Sequence, residues 1–339
     1  MDTQELNAIA KSLFAGDKGL LAMDESLPTC NKRFAALGIP QTEEYRHAYR
    51  NWIITTPKLG ECIGGVILFD ETIRQKGPDG TPFPKMVTDA GIVPGIKVDA
   101  GAKALALRAG EKITEGLDGL RERLEEYYAM GARFAKWRAV ITIGDGIPST
   151  DCIGANANAL ARYAALCQEA GLVPIVEPEI LMDGEHTLGR CLEVSEAVLH
   201  AVFDELYAQG VALEGMILKP GMVLPGLDCP VQESVDEVAD ATVECFLRRV
   251  PAAVPAIAFL SGGQSSALAS TRLNAMHKRF HGRMPWELAF SFARAIQQPA
   301  LEIWKGDPAN IPEAQRALYH RAKCNWAARR GEYNASMES

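Results

Sequence analysis

Eight short apolar runs recur along this chain of 339 residues, and segments with helical periodicity lie between them. The runs cover residues 19–24, 62–69, 93–98, 134–143, 173–181, 215–219, 256–260 and 287–292. Most are apolar on both faces, as parallel strands covered by helices must be. The intervening pattern predicts helices over 43–56, 117–130, 156–170, 187–209, 234–249 and 265–277. Gly171 and Gly210 supply helix stops, and Ser234 with Glu237 has capping-box spacing. The runs begin roughly thirty to forty-five residues apart, the length of one strand–helix unit. Eight such units in alternation predict a (β/α)8 barrel of the TIM type. The competing doubly wound sheet usually opens with a glycine-rich phosphate turn. Neither G-x-G-x-x-G nor G-x-x-x-x-G-K-[ST] follows the first run.

The remaining segments decorate that barrel. A helix over 4–14 precedes the first strand, with Asp2 and Glu5 at capping-box-like spacing, and a helix over 311–328 is expected outside the barrel. Residues 77–84 carry turn chemistry rather than a domain boundary. The expectation is a single barrel domain over 1–339 with a short tail from about 331 to 339. Hydrophobic residues make up 47% of the chain, ample for one large core. The net charge of −8 argues against general nucleic-acid binding. The eight cysteines are scattered without a C-x-x-C, which predicts reduced, mostly buried thiols. No signal pattern or membrane-length apolar run is present, so a cytoplasmic location is expected.

Function in such a barrel gathers at the carboxyl ends of the strands. Those ends carry Asp24, Lys97, Lys136, Glu177 with Glu179, Lys219, Ser261 and Arg294. Lys219 closes Leu-Glu-Gly-Met-Ile-Leu-Lys-Pro, where a lysine emerges from a buried strand. Charges on strand cores are costly unless paired or used. Period-two alternation puts Lys136 and Arg138 on one face of their strand, and Glu177 and Glu179 together on theirs. A free lysine amine has a pKa near 10.4, and a second cation in a dry pocket lowers it. A neutral amine forms an iminium with a ketone, and the iminium is an electron sink for a neighbouring carbanion. Carboxyl groups then serve as acid for water loss and as base for bond cleavage. The plainer alternative is that Glu177 and Glu179 only neutralise buried lysines.

Anion binding has its own signals. Leu-Ser-Gly-Gly-Gln-Ser at 260–265 follows the seventh run and opens a helix. Ser261, Gly262 and Gly263 offer close backbone N–H groups, and Arg294 after the eighth run adds a guanidinium. A second anion site is expected from Ser26, Thr29, Lys32 and Arg33 just after the first run. Two phosphate sites imply a bisphosphate. His277 and His281 have the i,i+4 spacing of a metal pair, but no strand end carries a histidine, so no metal is expected.

With those residues in place, the chain resembles the class I fructose-1,6-bisphosphate aldolases, the Schiff-base, metal-independent kind. The motifs run in order over nearly the whole chain. They are Leu-Ala-Met-Asp-Glu-Ser (21–26), Cys-Ile-Gly-Gly-Val-Ile-Leu-Phe (62–69), Gly-Ile-Lys-Val-Asp (95–99), Phe-Ala-Lys-Trp-Arg (134–138), Val-Glu-Pro-Glu-Ile-Leu (176–181), Leu-Lys-Pro (218–220) and Phe-Leu-Ser-Gly-Gly-Gln-Ser (259–265). The resemblance implies Lys219 as the Schiff-base lysine, Glu177 as acid and base for carbinolamine dehydration, and Asp24 as the group assisting removal of the C4 hydroxyl proton. It implies Lys136 as a support for proton transfer, with Glu179 beside it. Ser261, Gly262 and Arg294 would hold the C1 phosphate, and Lys97 would join Ser26, Thr29, Lys32 and Arg33 near the C6 phosphate. It implies a homotetramer, no cofactor and no metal. Fructose 1-phosphate and sedoheptulose 1,7-bisphosphate are the alternative preferred substrates, and an inactive scaffold is the alternative of another class.

The chain departs from vertebrate-type members at Met23, Thr29, Gly221 and Phe292-Ala293. Those members also extend past the position of Tyr333 to a terminal tyrosine that exchanges the C3 proton. Tyr333 folding back, Glu179 or Glu177, and water are the candidates for that proton here.

Overall fold

The computed structural model describes residues 2–338. Met1 and Ser339, the outermost positions of the expected domain, lie outside the described residues. Ten strands form. In chain order they are β1 (Gly19–Ala22), β2 (Ile63–Leu68), β3 (Val93–Lys97), β4 (Gly101–Ala104), β5 (Lys112–Glu115), β6 (Phe134–Ile141), β7 (Val173–Ile180), β8 (Ile217–Leu218), β9 (Ala256–Phe259) and β10 (Glu287–Phe292). Eight of them close into a parallel barrel in the order β1, β10, β9, β8, β7, β6, β3, β2. This is the (β/α)8 barrel that the alternation of runs predicts. β4 and β5 form a separate antiparallel hairpin after β3, which the sequence reading did not foresee.

The helical layer also follows its sequence signals, with boundary shifts at the caps. Ser234 and Glu237 form the expected reciprocal capping box at the helix Val235–Arg249. Asp2 caps the first helix, Thr3–Ser12, by accepting from the Gln4 and Glu5 N–H groups. The helix expected from residue 156 starts earlier, at Thr150, because Ser149 caps it. The helices Leu27–Ala35 and Arg294–Trp304 were not delimited by periodicity. Both follow a barrel strand closely and lie at the site's rim.

The barrel is sealed at its amino end by the first helix. Leu6, Ala10, Leu13 and Phe14 pack with Leu20, Phe134, Ile175 and Ile217 in one buried cluster. Gly64 and Gly65 make this closure possible. A Cβ on Gly64 would fall 2.0 Å from the Leu13 carbonyl oxygen, so only glycine admits that backbone. Trp137 points outward, fully buried, with its ring 5.5 Å from Tyr163. The carboxyl-terminal helix Ile311–Arg329 is fastened by Arg329. Its guanidinium donates to the Phe14, Lys18 and Leu288 carbonyls and pairs with Glu287. Four contacts from one side chain tie that helix to β10 and to the turn between the amino-terminal helix and β1.

The last described residues are anchored. Tyr333 is buried, its N–H donates to Asn274 Oδ1 at 3.0 Å, and its hydroxyl donates to Glu338 at 2.6 Å. Glu338 also pairs with Arg321 of the carboxyl-terminal helix. Tyr333 therefore sits against the outer helical layer. All eight cysteines are buried free thiols.

Candidate active site

Four charged side chains meet inside the carboxyl end of the barrel, each delivered by a different strand. Lys219 follows β8, Glu177 lies on β7, Lys136 on β6, and Asp24 two residues beyond β1. Lys219 Nζ lies 2.7 Å from Glu177 Oε1, and Lys136 Nζ lies 3.1 Å from Glu177 Oε2. Lys136 Nζ also lies 2.6 Å from Asp24 Oδ2. The result is a continuous chain, Lys219–Glu177–Lys136–Asp24, with the lysine and glutamate side chains no more than 4% exposed.

The charges decide the protonation states. Burial by itself would raise the Asp24 carboxyl, but the Lys136, Lys219 and Lys97 ammoniums outweigh it and hold it at about 2. Glu177 is treated the same way: burial raises it, and Lys136, Lys219 and Arg138 together bring it below the usual range. Burial acts to lower Lys136, yet Asp24 and Glu177 prevail and hold it well above the ordinary lysine value. Lys136 is therefore locked as a cation by two carboxylates, whereas Lys219 touches one.

Glu179 does not stand against Lys136. Its carboxylate bonds to Arg138, one pleat farther up β6, where the strand opens to solvent. The expectation of a Lys136–Glu179 neighbourhood gives way to a separate Arg138–Glu179 pair at the rim. Arg138 was visible in sequence as the same-face partner of Lys136, and its i+2 spacing was the available signal.

The turn after β9 has the geometry of an anion cradle. Gly262 and Gly263 have φ of +61° and +107°, which disfavours any side chain there. A Cβ on Gly263 would come 3.3 Å from Arg294 Nη2, so that guanidinium overhangs the turn. Ser261 is buried beside it. Ala293 precedes Arg294 with φ of −102°, outside the left-handed region that favours glycine.

The residues expected at the second anion site are only partly free. The Ser26 and Thr29 hydroxyls are 3.1 Å apart at the start of the helix Leu27–Ala35, and Lys32 is exposed. Arg33 is engaged. It lies 2.5 Å from Glu25 and also donates to Gln297 and Gln298. Glu25 further pairs with Arg50 at 2.7 Å. Lys97 is held by Asp99, whose carboxylate lies 2.7 Å away and whose carbonyl accepts at 2.8 Å. Sequence gave no sign of Glu25, Arg50 or Gln297 as partners in this region, because they belong to three separate elements.

Among the described residues no group of three or more His, Cys, Asp or Glu side chains is arranged for a metal ion. His277 Nε2 is 2.9 Å from the Leu288 carbonyl oxygen.

A parallel barrel with a buried lysine–carboxylate–lysine cluster at its strand ends defines an amine-chemistry enzyme of the aldolase class. The family described as fructose-bisphosphate aldolase class-I, glycolytic, matches residues 5–339. This chain belongs to the class I fructose-bisphosphate aldolase family. It is 56% identical to a probable fructose-bisphosphate aldolase class 1 of Xanthomonas campestris, over 98% of this chain and 99% of that one. It is 50% identical to the cytosolic fructose-bisphosphate aldolase 6 of Arabidopsis thaliana, over 98% of this chain and 93% of that one. A solved fructose-bisphosphate aldolase of Plasmodium falciparum, in complex with TRAP and a small-molecule inhibitor, superposes with a TM-score of 0.96. It is 44% identical and covers 98% of this chain and 96% of its own.

Proposed function

We infer that this chain reversibly cleaves fructose 1,6-bisphosphate to dihydroxyacetone phosphate and glyceraldehyde 3-phosphate through an imine on Lys219. The observation that carries the reading is the 2.7 Å contact between Lys219 Nζ and Glu177 Oε1. One proton transfer along it turns an ion pair into a neutral amine and a carboxylic acid. The amine attacks the C2 carbonyl of the open-chain sugar. Glu177 protonates the resulting hydroxyl, water leaves, and the iminium forms. Lys136 does not compete as nucleophile, because Asp24 and Glu177 keep it charged.

The iminium then draws the electron pair of the C3–C4 bond while Asp24 accepts the C4 hydroxyl proton. The aldehyde product departs and an enamine remains on Lys219. Protonation at C3 and hydrolysis of the imine release dihydroxyacetone phosphate and return the amine. Each positioned acid or base contributes about 10²–10⁴-fold. Glu177, and Glu179 paired with Arg138 at the rim, are the carboxylate candidates for the C3 proton.

Ser261, Gly262, Gly263 and Arg294 hold the C1 phosphate in this reading. The C6 phosphate falls to Ser26, Thr29 and Lys32. Arg33 and Lys97 join them only by exchanging Glu25 and Asp99 for the phosphate. No cofactor or metal enters the reaction. A homotetramer in the cytoplasm is also proposed, on family membership. Among the described residues no helix is long and apolar enough to cross a membrane.

Turnover assays test the reading. Fructose 1,6-bisphosphate cleavage persists with chelator present and is abolished by Lys219→Ala. A higher kcat/KM for fructose 1-phosphate or sedoheptulose 1,7-bisphosphate reassigns the substrate. Absence of turnover on all three leaves an inactive scaffold.

A further inference from the structure

Arg272 is a buried cation without a carboxylate. It lies on the helix Ser266–Phe280 and is 5% exposed. The other buried arginines, Arg46, Arg50, Arg321 and Arg329, each reach a glutamate. Arg272 has no such partner among the described residues. Burial pushes its guanidinium below the ordinary arginine value, and no neighbouring charge opposes the push. A guanidinium does not give up its proton near neutrality. The charge therefore stays, uncompensated, in a place where unpaired charge is costly.

What Arg272 does reach is the turn after β9. Its Nη1 donates to Gln264 Oε1 at 2.9 Å, while its Nε is buried without a partner. That bond fixes the Gln264 amide, because a guanidinium can face only the oxygen. The amide nitrogen is left to donate to the Ser261 carbonyl, 3.1 Å away. The Gln264 backbone N–H donates to the same carbonyl at 3.0 Å. Ser261 is thus held twice through its carbonyl. Among the described residues the Gly262 and Gly263 N–H groups have no backbone acceptor.

We propose that Arg272 is a positioning residue for the substrate's C1 phosphate, holding the Ser261–Gly263 turn through Gln264 and drawing its missing counter-charge from the bound phosphate. The proposal rests on the assignment of that turn to the C1 phosphate. It explains why a charge is tolerated where an apolar side chain of similar length would pack at less cost. In the resting protein the positive charge is bonded to Gln264 at the end of the turn. When the phosphate binds at the turn, a weakly screened attraction is added to the N–H contacts.

The test measures KM and kcat for fructose 1-phosphate, inhibition by inorganic phosphate against that sugar, and thermal midpoint. Arg272→Met removes the charge and keeps the volume. Its midpoint is expected to be unchanged or higher, because an uncompensated charge is gone. Its KM and its phosphate inhibition constant are each expected to rise about fivefold, with kcat within about twofold. Arg272→Lys, which restores the charge, is expected to recover most of that affinity. Gln264→Glu gives Arg272 a carboxylate in place. It is expected to raise the midpoint and weaken phosphate, and it serves if Arg272→Met does not fold.

Arg294→Ala is the control. If it weakens phosphate while Arg272→Met and Gln264→Glu do not, Arg272 has no positioning role and the phosphate assignment stands. If Arg294→Ala also changes nothing, the assignment of the turn falls, and the role of Arg272 falls with it.

Discussion

The Lys136 ammonium lies 2.6 Å from a carboxylate oxygen of Asp24, joining the fourth strand of the barrel to the end of the first across its interior. Neither residue is near the other in sequence, and only barrel closure brings them together. The same ammonium reaches Glu177, so one cation contributes most to holding two carboxylates charged.

Lys136→Met removes that cation. Asp24 then leaves its value of about 2 and moves up toward the ordinary carboxylate range, because the largest charge opposing burial is gone. The expected loss in kcat is about 10²–10⁴-fold, and the acid limb of the pH–rate profile moves to higher pH. Stability changes as well. A depressed carboxylate contributes stability that is present above the unfolded value and lost as pH falls through the folded one. For Asp24 that window runs from about 4 down to about 2. Denaturant titrations of the wild type and Asp24→Asn at pH 5 and pH 2 should show their difference shrinking by about 2 kcal/mol.

In the proposed assignment the two phosphate sites separate by substrate. Arg294→Ala should raise KM about tenfold or more for both fructose 1,6-bisphosphate and fructose 1-phosphate. Lys32→Ala should penalise the bisphosphate more, since only it carries the C6 phosphate. Steady-state kinetics on both sugars checks this, and equal penalties for both variants on both sugars contradict it.

His277 supplies an acid weakness outside the site. Burial and the Arg329 cation push its imidazole down to about 4, so the folded protein keeps it neutral. The unfolded chain binds the proton at about 6.5. Stability therefore falls as pH drops from about 6.5 to about 4 and levels off below, a loss on the order of 3 kcal/mol. His277→Gln should flatten that stretch of the stability–pH curve. An unchanged slope would assign the acid sensitivity elsewhere.

Tyr333 is bonded to Glu338 and Asn274 on the outer layer. A hydroxyl held there is not positioned to protonate an enamine inside the barrel. Tyr333→Phe should leave turnover, and exchange of the dihydroxyacetone phosphate proton, within about twofold of wild type, because it removes only a peripheral hydrogen bond. A hundredfold loss of exchange with imine formation intact would make Tyr333 the proton carrier.

The barrel was legible because two-sided apolar runs at regular intervals admit few architectures. The run at 287–292 matches β10 residue for residue, whereas the run at 215–219 retains only Ile217–Leu218 as strand. There Leu213–Gly215 turns into a 3-10 helix before the strand begins. The hairpin of β4 and β5 was missed because Gly101–Ala104 is mostly exposed and carries no apolar alternation. The helix Arg294–Trp304 was missed because it starts two residues after β10 and contains Pro299.

The clustering of Lys219, Glu177, Lys136 and Asp24 was readable because a charge on a buried strand needs a reason. The partners of Arg33 were not readable, because a basic pair after a strand gives no sign of them. Its guanidinium goes to Glu25 and to two glutamines from the far end of the chain, which only folding brings near.

The central claim is that Lys219, not Lys136 or Lys97, forms the covalent bond to substrate. Borohydride reduction in the presence of dihydroxyacetone phosphate, followed by peptide mapping, tests it most directly. The expected result is one triose phosphate adduct on Lys219, loss of activity in step with labelling, and no labelling of Lys219→Ala. An adduct confined to Lys136 or Lys97, or none at all while the enzyme turns over, would contradict it.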